Sequence, residues 1–224
     1  MKQLTLPFAD EQNYAAEDFC PAPSNTAARE WLQRPDAWSN GRLILWGEAG
    51  CGKTHLLHIW AQDQKAEIVD AARLNSIMLH GLRRVERPIA LDDADLVSDP
   101  QALLHLLNMA AEAGQPVLLA ARLPPARMAY KLADLTSRLR AAQAVEIRQS
   151  EDELLEQLLT KLAAQHQLSL SIPVRNTLLL HLPRAPAFYR EAVARLNRAG
   201  FDRGSRISRN LALEVVTGLT QDGG

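Results

Sequence analysis

Eight residues, Gly47-Glu48-Ala49-Gly50-Cys51-Gly52-Lys53-Thr54, limit what this chain can fold into more than any other stretch. They fit the pattern G-x-x-x-x-G-K-[ST] and follow an apolar run, Arg42-Leu43-Ile44-Leu45-Trp46. Such a loop needs a strand before it and a helix after it. Its backbone N–H groups must curl around a phosphate, and the helix N-terminus adds positive potential there. Lys53 then neutralises the outer phosphates, and Thr54 is placed to hold Mg²⁺. Cys51 falls where the pattern leaves residue type free and reads as filler.

Around that loop, short apolar runs at 42–46, 66–70, 88–92, 116–121 and 144–148 alternate with helical patterns. This rhythm predicts an α/β fold with a five-stranded parallel sheet and crossover helices. One helix is expected to start at Asp99-Pro100, a cap residue followed by a proline whose missing N–H costs nothing there. After residue 149 the strand signal stops. Ser150 and Glu153 form a capping-box pattern, and Leu154, Leu155, Leu158, Leu159 and Leu162 recur at helical spacing to about His166. Further amphipathic segments cover 173–182, 186–199 opened by Pro186, and 206–218 opened by Ser205. The expected division is a tail at 1–12, an α/β domain at 13–149 and a small helical domain at 150–224.

The 224 residues are 47% hydrophobic and 23% charged, which suits a globular chain and excludes a wholly disordered one. No apolar run approaches the ~20 residues needed to span a bilayer, so no membrane association is expected. The first residues, through Phe8, run directly into Asp10 and Glu11 without a signal-peptide apolar region, and a cytoplasmic location follows as the expectation. Cys20 and Cys51 alone cannot build a disulfide framework. The net charge of −1 hides an asymmetry: residues 1–121 carry 10 basic against 16 acidic side chains, and residues 122–209 carry 15 against 8. That imbalance fits nucleic acid, a phosphorylated ligand, self-association or plain solvated helix faces.

Leu91-Asp92-Asp93 closes an apolar strand and supplies the second element that a P-loop requires. Asp92 would bind Mg²⁺ through water and Asp93 would polarise an attacking water; Asp95 reads as an exposed turn residue. With Asp-Asp at this point, the chain resembles the AAA+ clade of the bacterial replication initiator DnaA. Phe19, Ser24-Asn25 and Ala27-Ala28 resemble the family's segment ahead of the P-loop, which implies that Asn25 lies near adenine and ribose. Ser137-Arg138-Leu139 resembles the element that carries an arginine finger, with Arg140 the nearest competitor for that role. Tyr189-Arg190-Glu191 with Leu196-Asn197-Arg198 resembles the lid helix, whose arginine, here Arg190, senses the γ-phosphate. The resemblance implies an AAA+ domain with a helical lid at 150–224, holding ADP or ATP with Mg²⁺. Without it, Arg138 and Arg190 would read as ordinary surface charges.

Two departures from that pattern shape the expectation. No helix-turn-helix domain follows the lid segment, so neither an initiator nor direct sequence-specific DNA binding is expected. Ala120-Ala121 stands where the family has a polar sensor, and an alanine cannot orient a water, so intrinsic hydrolysis should be weak. At the other end, Gln3-Leu4-Thr5-Leu6-Pro7-Phe8 resembles the peptide that binds the polymerase sliding clamp: Leu4, Leu6 and Phe8 enter apolar pockets, Gln3 bonds at the rim and Pro7 limits the entropy lost. Together these resemblances imply an ADP-bound regulator that binds the clamp, contacts DnaA and speeds its ATP hydrolysis through Arg138. A homo-oligomer remains open. The rivals are an active AAA+ ATPase of helicase-loader type and a passive adaptor.

Overall fold

The computed structural model describes residues 14–75, 79, 85–203 and 207–222. The tail motif at 3–8 lies outside the described residues. Five strands, β1 (Arg42–Trp46), β2 (Glu67–Asp70), β3 (Ile89–Asp92), β4 (Val117–Ala121) and β5 (Gln143–Glu146), pair in parallel in the order β2-β3-β4-β1-β5. The register sets Trp46 beside Ala121 and Glu146, and Asp70 beside Asp92. The carboxyl ends of β1 and β3 therefore open on the same edge, with β4 between them.

The central strands are apolar on both faces because helices cover both. Alternation along β1 divides its side chains: Ile44 joins Leu91, Leu119 and the Leu103, Leu106 and Leu107 side of α3 (Pro100–Glu112). Leu43 and Leu45 join Leu118, Ala90 and the Leu56, Leu57 and Trp60 side of α2 (Lys53–Gln64). Helix α1 (Thr26–Leu32) lies on the second face through Ala28 and Leu32, and α4 (Ala133–Arg140) on the first through Leu135 and Leu139. As expected, α3 begins behind Asp99, whose Oδ1 accepts from the N–H groups of Gln101 and Ala102 at 3.1 and 3.0 Å.

Beyond β5, helices α5 (Asp152–Gln165), α6 (Ile172–His181), α7 (Pro186–Arg203) and α8 (Arg209–Asp222) share a separate core built on Leu155, Leu159, Leu178, Tyr189 and Leu196. The capping box expected at Ser150 is absent. The cap position is Glu151, without a side-chain bond, and Ser150 sits one residue too early. Asp152 and Glu153 complement the helix dipole instead. Ser205 lies outside the described residues, and the hydroxyl at the start of α8 belongs to Ser208, whose Oγ accepts from Leu211 N–H at 3.2 Å. Among the described residues, no helix is long and apolar enough to cross a membrane.

Candidate nucleotide site

The P-loop leaves β1 and turns back into α2. Gly47 has φ +155°, and a Cβ there would stand 2.4 Å from the Ile147 carbonyl oxygen, so the turn requires glycine. Gly50, at φ +76°, faces Ala185 and Ala187 at the start of α7, and an added Cβ would meet their methyls at 3.1 Å. The loop thus reaches the helical bundle through a gap that a larger residue would fill. Lys53, 6% exposed, donates from Nζ to the carbonyls of Gly47 and Glu48 at 2.9 and 2.7 Å. The Glu48 carboxylate accepts from Gln149 Nε2 at 3.0 Å and ties the loop to the chain after β5. Cys51 is buried, and burial pushes its thiol up, which suits a filler rather than a nucleophile.

Thr54 Oγ1 donates to Asp92 Oδ2 at 2.7 Å, joining the P-loop helix to the end of β3. The second Asp92 oxygen accepts from Asp93 N–H at 2.9 Å. Asp93 itself adopts φ +48°, a left-handed conformation that Asp tolerates better than most residues. Burial, with Asp92 alongside, pushes its carboxyl above the usual range. Thr54 and Asp92 form a pair of oxygen donors of the kind Mg²⁺ takes from protein while phosphate and water fill its other positions. The glycine cradle, the Lys53 ammonium and this donor pair fit a nucleotide phosphate with Mg²⁺.

A cavity of about 650 Å³ continues from the loop between α2, α5 and α7. Gly50 to Thr54, Asn25 and Arg190 line it together, with Tyr14, Phe19 and His55 on one wall and Leu154, Leu158 and Leu162 on another. Asn25 is 3% exposed and tied to its own turn at both ends of the amide: its Oδ1 accepts from Ala22 N–H and its Nδ2 donates to the Cys20 carbonyl. It shapes the wall of the cavity through the 20–25 turn. Gly47, Glu48 and Ala49 lie outside this lining, as do Asp92 and Asp93, which reach it only through Thr54.

Three residues that the sequence reading did not single out belong to the same neighbourhood. Arg122, directly after β4, lies 3.9 Å from Asp93 Oδ1 through Nε, and its N–H donates to Asp95 at 3.0 Å. Asp95 is therefore a clamp between two strand ends, not a free turn residue. Tyr14 stacks on His58 at 4.1 Å between ring centroids. His55, next to Thr54, accepts from Arg190 Nη2 at 3.3 Å, and burial foremost, with Arg190's charge alongside, lowers its pKa. Ala120 and Ala121 are fully buried in β4 and bring no polar side chain to the site, although the Ala121 carbonyl accepts from the Gly47 N–H at 3.3 Å.

Arg138 is placed elsewhere. It lies on α4 in an ion pair with Asp134 at 3.2 Å and lines a second cavity of about 590 Å³ with Arg42, Gly114, Pro116 and Ser137. Arg42 opens β1 and Pro116 precedes β4, so this cavity is at the amino end of the sheet, opposite the P-loop. Arg138 and Arg140 both lie on this helix, where two residues apart means about 200° around the axis, so the two side chains cannot exchange faces.

The strand order, the P-loop after β1, the paired aspartates after β3 and the helical bundle after β5 define an AAA+ α/β fold. Within that class the fold is DnaA-like. Domain III of the replication initiation protein DnaA from Thermotoga maritima superposes with a TM-score of 0.78 at 16% identity, over 93% of this chain and 97% of that one. AMPPCP-bound DnaA from Aquifex aeolicus superposes with a TM-score of 0.70 at 19% identity, over 85% of this chain and 67% of that one. No protein-family model matches the sequence. An uncharacterised protein from Haemophilus influenzae is 27% identical over 96% of both chains. The chromosomal replication initiator DnaA of Sphingopyxis alaskensis is 30% identical over 76% of this chain, which covers only 43% of that initiator's length.

Proposed function

We propose that this chain is an ADP-bound regulator of chromosome replication initiation that attaches to the sliding clamp and stimulates ATP hydrolysis by DnaA, the role of regulatory inactivators of the Hda type. The observation that carries this reading is the separation of two features in a DnaA-like fold: a P-loop pocket at the carboxyl end of the sheet, and Arg138 at the amino end. An arginine that far from its own P-loop suits a phosphate held by another molecule.

The nucleotide's part is to bring phosphate charge and a base to the junction of sheet and helices. Within the chain, the amides of residues 50–54 and the Lys53 ammonium would hold the phosphates, Thr54 and Asp92 the Mg²⁺, and Arg190 would reach the phosphate end from α7. Asp93 would polarise water for intrinsic hydrolysis. Its pairing with Arg122 and the apolar Ala120-Ala121 support slow turnover and an ADP-bound resting state. Arg138 would leave Asp134 for the transferring phosphoryl group on DnaA, where such fingers are worth roughly 10³–10⁵ in rate.

The tail supplies recruitment, with Gln3, Leu4, Leu6, Pro7 and Phe8 on the clamp. The test measures hydrolysis of DnaA-bound ATP with DNA-loaded clamp, adding wild type or the Gln3→Ala/Leu6→Ala/Phe8→Ala variant. Stimulation by wild type and its loss in the variant are expected; equal stimulation by both would remove the clamp from the account. The intact Thr54–Asp92 pair favours one second reading, an active ATPase of helicase-loader type. Appreciable turnover by the isolated chain would select it.

A further inference from the structure

His55 follows Thr54 on α2 and is 5% exposed. Its Nε2 lies 2.9 Å from the Ala15 carbonyl oxygen, which can only accept, so Nε2 carries the hydrogen. In the neutral ring, Nδ1 is then an acceptor. Arg190 Nη2, which can only donate, lies 3.3 Å from it. Both partners thus select the same tautomer. Tyr14 and Phe19 meet the ring edge-on at 5.6 and 5.3 Å, which fixes its plane. Nη2 of Arg190 also donates to the Asp18 carbonyl at 3.3 Å. Among the described residues, Nε and Nη1 of Arg190 make no hydrogen bond.

Building on the reading of this pocket as a nucleotide site, we propose that His55 is the positioning residue for Arg190: it anchors Nη2 so that Nε and Nη1 are presented to a nucleotide phosphate. The anchor joins three parts of the chain that lie far apart in sequence. The segment ahead of α1 orients His55, the P-loop helix carries it, and α7 supplies the Arg190 donor that it accepts from. An arginine swinging free from α7 would lose conformational entropy on meeting a phosphate, and one already held on a single nitrogen loses less.

Two near-isosteric variants separate this role from mere packing. In His55→Asn the introduced amide oxygen stands where Nδ1 was and keeps an acceptor for Arg190, so the anchor is retained and the bond to Ala15 is dropped. His55→Gln does the reverse, since its amide nitrogen reaches toward Ala15. Calorimetry with ADP and with a non-hydrolysable ATP analogue is run on the full chain. Arg190→Ala and His55→Gln should each weaken binding about tenfold, the double variant should be no weaker than Arg190→Ala alone, and His55→Asn should stay within about threefold of wild type. The opposite order of Asn and Gln, or additive losses in the double variant, would overturn the proposal. Absence of nucleotide binding by folded wild type would instead sink the reading of the pocket itself. Nitrogen NMR of the wild-type imidazole gives an answer that needs no variant at residue 55: an unprotonated Nδ1 whose resonance moves in Arg190→Ala is expected, and a protonated Nδ1 contradicts the anchor.

Discussion

Tyr189 has a fully buried hydroxyl for which no described residue provides a hydrogen-bond partner, while its neighbour Arg190 turns into the nucleotide cavity. Burial pushes its phenol up to about 12 from an ordinary 10. A raised folded-state value means that its contribution is intact below pH 10 and declines as pH climbs toward 12, because the unfolded chain loses its proton first. Tyr189→Phe should leave stability at pH 7 within about 1 kcal/mol of wild type or raise it, and should flatten the alkaline decline. Denaturant melts at pH 7 and above pH 10 check both; a larger loss at neutral pH would mean that the hydroxyl is satisfied. At this scale the sequence is readable where chemistry fixes spacing, as in Gly47 to Thr54 and Asp92. It is unreadable where partners meet across the fold: His55 and Arg190 are 135 residues apart, and no local pattern marks them. Asn25 shows the intermediate case: it lines the cavity, as its place in the sequence suggests, but its bonds to Ala22 and Cys20 in its own turn carry no local signal of that placement.

Helices and strands are legible wherever both periodicity and a stop signal are present. The Asp99-Pro100 start of α3 is such a case, and Asp99→Ala should cost about 0.5–2 kcal/mol because two first-turn amides lose their acceptor. Thermal unfolding measures it, and an unchanged midpoint would show that water replaces the carboxylate without loss. At α5 the same type of reading fails. Ser150 and Glu153 have the spacing of a capping box, but the helix begins one residue later than that box requires, with Glu151 at the cap. Helix ends shift by a residue or two under tertiary packing, and a capping motif does not survive such a shift.

At the scale of the whole molecule, the described residues pack into three apolar cores: one on each face of the sheet, and one inside the helical bundle. The segment ahead of α1 braces the bundle against the sheet. Asp18 accepts from Gln165 Nε2 at 2.7 Å and pairs with Lys161 at 3.5 Å, and Tyr14 stacks on α2 through His58. That bracing sets the nucleotide cavity at one end and leaves Arg138 at the other, about a third exposed and held only by Asp134 among the described residues. With Arg138 on that side, the finger role is a proposal about two molecules. An Arg138→Lys variant should rescue poorly, since an ammonium lacks the planar fork.

The most direct measurement is hydrolysis of DnaA-bound ATP in the presence of DNA-loaded clamp, with wild type, Arg138→Ala and Arg140→Ala compared at equal ADP occupancy. Arg138→Ala should lose the stimulation while still binding ADP and clamp, and Arg140→Ala, on another face of α4, should keep it. Full stimulation by Arg138→Ala would contradict the account, and loss confined to Arg140→Ala would move the finger to that residue.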